Sequence, residues 1–147
     1  MDTQIEQRVV PFPSGRRSSS LVSELRLPAR APKLWVAREY AHAAAASFGL
    51  DADRCMDFAF AANEAATNAV RHGLPDRAGD IHLSVLVEDR RLTLSVRDCG
   101  TFSASYSVLG AHSERGRGFA MMTRLMDAVQ LCVAPGNTTV RLTAERR

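Results

Sequence analysis

Residues 64–73 have the sequence EAATNAVRHG, and this segment is the most informative part of the chain. Glu64, Asn68 and His72 are four residues apart, so on a helix they project from one stripe, while small alanines occupy the adjoining face. Carboxylate and amide oxygens suit Mg²⁺ and hydroxyl chemistry, whereas a soft-metal site would use cysteines or several histidines. Taken alone, the stripe indicates such a site and a solvated helix face equally well.

The residues before and within this segment predict two consecutive helices. Apolar residues over 34–48 follow helical spacing, and Gly49 is placed to end that first helix. Asp51 is a good N-cap for a second helix, which continues through the EAATNAVRHG segment and closes at Gly73. The glutamate, asparagine and histidine are therefore expected on the second half of the longer helix.

After this helix the apolar pattern changes from a helical to an alternating period. It predicts strands over 81–87, 92–96, 129–133 and 140–144, with a hairpin loop at 89–90, and a helix from Gly118 to Met126. Each strand has one apolar face and each helix one apolar stripe. The predicted fold class is an α/β (α+β) two-layer sandwich, with a mostly antiparallel mixed sheet covered on one face by helices.

Length, composition and charge limit the class of protein. The chain has 147 residues, 46% hydrophobic and 24% charged, which is the size and composition of one packed domain. Its net charge of +3 comes from scattered arginines, with Lys33 the only lysine, so direct nucleic-acid binding is not expected. Cys55, Cys99 and Cys132 fit a reducing cytoplasm better than a disulfide framework. Without an apolar run of signal-peptide or membrane-spanning length, we expect a cytoplasmic protein with no membrane contact.

Two segments lack the periodicity of regular structure. Residues 1–22 mix proline, glycine, arginine and serine, which predicts a flexible N-terminal tail before a domain over residues 23–147. Residues 100–116 are rich in Ser, Thr, Gly and His and predict a long loop of the length used for lids and binding loops. Function is therefore expected beside this loop.

Two short motifs border the loop. Asp98-Cys99-Gly100 follows a predicted strand, so a hydrogen-bond acceptor stands beside a glycine that lets a flat ring approach the backbone. The motif Gly-Arg-Gly at 116–118 precedes a predicted helix, where free backbone N–H groups can bind an anion such as a nucleotide phosphate. An ordinary turn or loop end explains each motif alone, and the order of all the motifs is the informative feature.

That order resembles the GHKL ATPases: Glu-x-x-x-Asn-x-x-x-His-Gly on a helix, Asp-x-Gly after a strand, Gly-x-Gly at a later helix, and a Thr-Thr strand near the end. Over residues 23–147 the chain is most similar to the bacterial anti-sigma factor serine/threonine-protein kinases. The resemblance implies a histidine-kinase-like ATPase domain with the Bergerat-type ATP-binding fold. It also implies ATP and Mg²⁺ as cofactors.

The resemblance assigns roles to the residues of the predicted helix. Glu64 would be the catalytic residue, which polarises the attacking nucleophile. Asn68 would hold Mg²⁺ against the phosphates and is the implied metal-binding residue. His72, at the helix end, would be structural.

The remaining implied roles concern the nucleotide. Asp98 would accept a hydrogen bond from the adenine amino group, Gly100 would line the adenine pocket, and Thr138 would support the adenine through water. Gly116 and Gly118, with nearby backbone N–H groups, would contact the phosphates. Arg115 or Arg117 would supply the positive charge of the lid.

The resemblance also implies protein partners. In these kinases the attacking hydroxyl belongs to a serine of an anti-anti-sigma factor, and the same domain binds and silences a sigma factor, an arrangement called partner switching. A homodimer is a further family expectation, through the first strand and the helix that contains Trp35 and Tyr40. Ordinary core packing explains those two aromatic residues equally well.

Two alternatives remain open. Phe102 stands where the family has the second glycine of Asp-x-Gly-x-Gly, and residues 101–115 lack lysine, which favours a weak or inactive interaction module that binds a sigma factor or antagonist without ATP turnover. The catalytic piece of a histidine kinase would need a phosphoacceptor histidine on a dimerisation helix, whereas His42 lies alone among alanines. Measurements of ATP binding and turnover would distinguish the interaction module from the kinase.

Overall fold

The computed structural model describes residues 6–9, 20–28, 33–72, 80–98, 114–134 and 136–146. These residues form six strands and three helices. In chain order the elements are β1 (Glu6–Val9), β2 (Ser20–Pro28), α1 (Leu34–Phe48), α2 (Ala52–His72), β3 (Asp80–Glu88), β4 (Arg91–Asp98), α3 (Glu114–Leu125), β5 (Ala128–Ala134) and β6 (Asn137–Glu145). None of the helices in these ranges is long and apolar enough to cross a membrane.

The strands form one sheet in the order β1-β2-β3-β4-β6-β5. Each neighbouring pair of described strands is antiparallel, so this part of the sheet is antiparallel throughout rather than mixed. Alternate residues of β3, β4 and β6 are buried, because the helices cover only one face. The predicted two-layer α+β architecture is confirmed.

The core lies between the helices and the covered face of the sheet. Its largest fully buried side chains come from both layers and are Phe58, Leu27, Ile81, Leu83, Leu92, Leu94, Met122 and Leu142. The apolar positions that alternate along the predicted strands face this core, apart from Val133, which is 54% exposed. Burial of such side chains contributes about 1.5–3 kcal/mol each to folding.

The ends of the first two helices match their sequence signals. Gly49 adopts a φ of 100°, in the left-handed region that glycine occupies without steric cost, and its N–H bonds back to the carbonyls of Ala45 and Ala46. Asp51 caps α2, since its Oδ1 accepts a hydrogen bond from the Arg54 N–H at 2.8 Å. Both boundaries were predicted. Gly73, the predicted end of α2, lies outside the described residues.

The N-terminal segment differs from its prediction. Part of the segment expected to be a flexible tail is strand β1, which pairs antiparallel with β2 from Glu6 opposite Arg26 to Val9 opposite Ser23. The strand β2 also begins at Ser20, inside the same segment. An edge strand is held mainly by backbone hydrogen bonds. It can therefore form without the apolar composition whose absence led to the prediction of a flexible tail. Other parts of the predicted tail lie outside the described residues.

A polar cluster attaches the start of α2 to the last residue of β6 and to the residue before β5. The guanidinium of Arg54 donates to Asp127 Oδ2 at 2.5 Å and also to the carbonyl of Glu145. Asp127 Oδ2 in turn accepts the Glu145 N–H at 2.7 Å. This cluster joins the start of α2, the junction of α3 with β5, and the end of β6, and it thereby fixes the position of α2 over the sheet.

The other face of the sheet is polar and forms a shallow basin of about 840 Å³. Arg26, His82 and Arg97 are direct neighbours on three adjacent strands of this face. Burial, together with the charges of Arg97 and Arg26, lowers the pKa of His82. The lower pKa favours the uncharged imidazole, which limits the repulsion along this basic row.

The two aromatic residues proposed for a dimer interface occupy different environments. Tyr40 is buried, and its hydroxyl shares a 2.5 Å hydrogen bond with Ser23 Oγ, so this residue belongs to the core. Trp35 is 55% exposed. Core packing is therefore the correct explanation for Tyr40, which is not available to a partner.

Burial raises the pKa of Tyr40 to about 12, although the hydrogen bond with Ser23 acts in the opposite direction. A tyrosine whose pKa is higher in the folded state stabilises the fold below pH 10, and this contribution is lost as the pH rises from 10 to 12. We expect Tyr40→Phe to cost about 1–3 kcal/mol at pH 7, because it leaves Ser23 without its partner. It should also remove a decline on the order of 2 kcal/mol between pH 10 and 12. Urea unfolding at each pH measures both effects, and an unchanged alkaline decline in the variant would contradict the assignment.

Candidate functional site

The candidate site begins on the second half of α2. Alanines at positions 61, 62, 65, 66 and 69 are buried, so the helix packs closely on its neighbours, which are α1, α3 and the sheet strands β3, β4 and β6. Glu64 is half-buried beside them, and Asn68 is only 2% exposed. The possibility of a solvated helix face is therefore wrong for Asn68, which the fold places in the interior.

The side chain of Asn68 is not satisfied within the described structure. Its Nδ2 atom is buried and has no hydrogen-bond partner there. Leaving a buried polar group unpaired costs about 1–3 kcal/mol, and such groups commonly belong to sites that bind a ligand or water. Asn68 therefore has a free interaction to offer to a bound group.

The first turns of α3 lie directly against these two side chains. A Cβ atom added to Gly118 would lie 2.8 Å from Glu64 Oε2 and 3.9 Å from Asn68 Nδ2. The first distance is shorter than real Cβ contacts, so only glycine fits here while the carboxylate keeps its position. The family resemblance implied a phosphate contact for Gly118, whereas its contact with Glu64 was not predicted, because it is tertiary.

The structure corrects the start of α3. The helix begins at Glu114 rather than at Gly118, so the Gly-Arg-Gly motif lies inside its first two turns. Packing on α2 compensates for the low helix propensity of two glycines. The first N–H groups of a helix lack intrahelical partners, so those of the first turn of α3 need acceptors outside the helix.

The end of β4 and the start of β6 form another part of the candidate site. Asp98 and Thr138 are direct neighbours across these two strands, and both are buried, with exposures of 4% and 1%. They continue the apolar faces of their strands, where the nearest buried residues are Val96, two positions before Asp98, and Val140, two positions after Thr138. Thr138 Oγ1 has no hydrogen-bond partner in the described structure. The sheet therefore offers a buried carboxylate and an unsatisfied hydroxyl side by side.

Other predicted site residues can be placed only in part. The backbones of Arg115, Gly116 and Arg117 belong to α3, whereas Gly100 lies outside the described residues. Among the described residues, the buried side-chain atoms without a hydrogen-bond partner are Asn68 Nδ2 and Thr138 Oγ1. Both atoms belong to residues that were predicted to line the site.

Comparison with known proteins identifies the family. The family model described as the histidine kinase-like ATPase domain matches residues 27–144. The chain belongs to this family. The matched range spans all three helices and most of the sheet, and it contains every residue of the candidate site.

Several known proteins are about 30% identical to the chain over the matched segments. The anti-sigma F factor of Bacillus velezensis is 30% identical over 118 residues, which are 71% of this chain and 81% of that protein. The anti-sigma F factor of Clostridium acetobutylicum is 29% identical over 112 residues, 68% of this chain and 78% of that protein. The serine-protein kinase RsbW of Bacillus mycoides is 28% identical over 129 residues, 80% of this chain and 81% of that protein.

A solved structure agrees with the fold of this family member. The crystal structure of the RsbU and RsbW domains of a Mycobacterium tuberculosis protein matches with a TM-score of 0.61 and 23% identity. The match covers 83% of this chain and 32% of that chain, so this chain spans about a third of that protein. The likeness supports the α+β architecture described above.

The contact between Gly118 and Glu64 leads to a testable prediction. We expect Gly118→Ala to keep or raise the stability of the fold, by up to about 1 kcal/mol, since alanine is the better helix former. The added Cβ should push the Glu64 carboxylate from 2.8 Å to at least the 3.4 Å of an ordinary contact. Urea unfolding and a crystal structure of the variant measure the two effects. A variant in which Glu64 stays in place and α3 moves instead would contradict this account.

Proposed function

We propose that this chain is an anti-sigma factor with ATP-dependent serine-protein kinase activity. It would bind a sigma factor in the cytoplasm and phosphorylate a serine of an anti-anti-sigma factor, which constitutes partner switching. The observation that best supports the proposal is the contact of α3 with Glu64 and Asn68 on α2, where a buried amide is left without a partner. The names of the relatives, anti-sigma F factor and serine-protein kinase, agree with it.

The residues of the site fit ATP and Mg²⁺. The amide of Asn68 can donate to a phosphate oxygen or turn its own oxygen toward a hard cation, and Glu64 offers a carboxylate nearby. Among the described residues Thr138 Oγ1 has no hydrogen-bond partner, and it lies next to Asp98, an arrangement that suits a ring with both donors and acceptors, such as adenine. When bound, the magnesium–nucleotide complex supplies the transferable phosphoryl group and neutralises its charge.

The helix N-terminus of α3 suits the phosphates. The orphan N–H groups of residues 114–117 point away from the helix at its positive end, which favours an anion. Because Gly118 has no side chain, this end of the helix approaches Glu64 and Asn68 closely. We assign Gly116 and Gly118 to this cradle, with Arg115 or Arg117 adding positive charge.

Glu64 is placed to act on the attacking hydroxyl. It is half-buried rather than enclosed, so the serine of a second protein can reach it. A carboxylate within hydrogen-bond reach of that hydroxyl orients the nucleophile and accepts its proton, a contribution of about 10²–10⁴-fold in general base catalysis. Asp98 at the end of β4 would accept from the adenine amino group and so fix the nucleotide relative to Glu64.

The second candidate function is an interaction module that binds its protein partners without ATP turnover. Phe102, in the position of a family glycine, is the observation that favours it. This module would bind a sigma factor or an antagonist equally well with and without ATP. It would also be insensitive to changes at Glu64.

The role of Asp98 is tested by nucleotide binding. We expect saturable, Mg²⁺-dependent binding of ATP to the purified chain and a Kd about 10- to 100-fold weaker in Asp98→Asn, because a charge-assisted hydrogen bond contributes about 1.5–3 kcal/mol. Calorimetry measures the affinity, and the melting temperature confirms that the variant is folded. Asp80→Asn, an exposed carboxylate on β3, is the matched control and should bind like the parent. Absence of ATP binding by the parent at millimolar concentration would favour the interaction module.

The role of Glu64 is tested by phosphoryl transfer. We expect Glu64→Ala to keep its affinity for ATP and to lose about 10²–10⁴-fold in the rate of transfer to serine, because only the proton acceptor is removed. The assay follows transfer from γ-labelled ATP to a purified anti-anti-sigma factor, with a version lacking the acceptor serine as the blank. Glu39→Ala, an exposed glutamate on α1, is the control. Equal rates for Glu64→Ala and the parent would remove Glu64 from the mechanism.

A further inference from the structure

Four polar side chains form a quadrilateral on the polar face of the sheet. Arg97 on β4 lies opposite Thr139 on β6. Two positions along the strands, Ser95 on β4 lies opposite Arg141 on β6. Residues two apart on a strand share a face, and all four side chains line the basin of about 840 Å³. The two arginines therefore occupy one diagonal of this β4–β6 quadrilateral, and the two hydroxyls occupy the other.

The arginines of the quadrilateral lack the ion pairs that other arginines of the basin have. Arg26 and Arg91 each face a carboxylate, at N–O distances of 3.7 Å and 3.1 Å. Among the described residues, neither Arg97 nor Arg141 forms an ion pair or a side-chain hydrogen bond, and both are exposed. Diagonal neighbours on a sheet are about 7–8 Å apart, which long side chains can span. Two positive charges therefore lie close together, and no described carboxylate pairs with either of them.

His82 on β3 lies directly beside Arg97 and reports the sign of the local charge. Burial lowers the pKa of this imidazole most, and the charges of Arg97 and Arg26 lower it further. The carboxylates of Asp80 and Glu24 act in the opposite direction, but each has a smaller effect than either arginine. This part of the basin therefore favours a negative charge, and an anion bound there would raise the pKa of His82.

The donors of the quadrilateral match a phosphate monoester better than a carboxylate. A phosphate monoester carries a charge of about −1.5 to −2 at pH 7 and has three terminal oxygens, so it can pair with two guanidinium groups at once. A carboxylate has a single charge and two oxygens. The hydroxyls of Ser95 and Thr139 can donate to the remaining phosphate oxygens.

The basin is larger than a phosphate group and is polar beyond the quadrilateral. Hydroxyl and amide side chains line the adjoining part of it, and they are Ser84, Thr93, Gln130 and Thr143. Such groups both donate and accept hydrogen bonds, which suits an organic part rich in hydroxyls. The lining thus fits a sugar phosphate rather than an apolar ligand.

We propose that the β4–β6 quadrilateral binds the phosphate group of a small sugar phosphate, whose polar part lies in the rest of the basin. The site is separate from the candidate site of α2 and α3, because the helices cover the opposite face of the sheet. Arg97 and the buried Asp98 are consecutive residues of β4 and face opposite sides of the sheet. The proposal does not depend on kinase activity or on ATP.

The first test measures binding of glucose 6-phosphate to the full chain by calorimetry, with glucose as the blank. We expect saturable binding at one site and an affinity at least about tenfold weaker in Arg97→Gln and in Arg141→Gln, because each variant loses charge-assisted hydrogen bonds. Arg91→Gln, on the same face of β4, loses the same charge from an ion-paired residue and should bind like the parent. The melting temperature confirms that each variant is folded. No binding at millimolar ligand, or equal weakening by Arg91→Gln, would overturn the proposal.

Two further measurements separate this site from other sources of phosphate binding. Asp98→Asn should bind glucose 6-phosphate like the parent, whereas equal loss in that variant would place the ligand in the candidate nucleotide site. Inorganic phosphate should bind more weakly than glucose 6-phosphate, since it leaves the polar part of the basin empty. Equal or tighter binding of inorganic phosphate would overturn the assignment to a sugar phosphate.

The second test locates the ligand by NMR titration of the imidazoles. The signal of His82 is assigned by its loss in His82→Gln. Saturating glucose 6-phosphate should raise the pKa of His82, because the bound anion offsets the charge of Arg97. His42 on α1, in the other layer, is the internal control and should keep its pKa. Binding by calorimetry with an unchanged pKa of His82 would place the ligand elsewhere and overturn the proposal.

Discussion

The alanines of α2 set the distance between the helix layer and the sheet. Six of them, at positions 59, 61, 62, 65, 66 and 69, are at most 4% exposed. Larger side chains at such positions overpack a core and cost about 1–3 kcal/mol each. Because the helix packs this closely, Asn68 is drawn into the interior and Glu64 meets Gly118 without an intervening side chain. The geometry of the candidate site is thus a consequence of how the core is packed.

The same close packing explains why the candidate site lowers the stability of the fold locally. In the described part of the chain the fold buries Asn68 Nδ2 and Thr138 Oγ1 without partners, which a structure optimised for stability alone would avoid. Elsewhere polar groups are well satisfied, as in the Arg54–Asp127 pair that holds the start of α2. The contrast between a satisfied anchor at one end of the helix and unsatisfied atoms at the other is the expected division between scaffold and site.

Features with a local signal in the sequence were predicted correctly, and those that depend on tertiary contacts were not. The cap at Asp51, the left-handed Gly49 and the alternation in β4 and β6 are each determined by neighbouring residues. The strand β1 was missed because it depends on pairing with residues about twenty positions away. The start of α3 was misplaced because glycines disfavour a helix, while packing on α2 stabilises one. A single sequence also contains no signal that Gly118 will contact the Glu64 carboxylate in the folded chain.

The position of β6 has a consequence for folding during synthesis. It is the last strand in chain order, but it lies inside the sheet, between β4 and β5. The strands β1 to β4 can pair with one another as they emerge, whereas β5 has no neighbour until β6 has been made. Thr138 reaches Asp98 at the same moment. In a nascent chain the strands β1 to β4 can therefore pair early. Asp98 and Thr138 become neighbours only when β6 has been added.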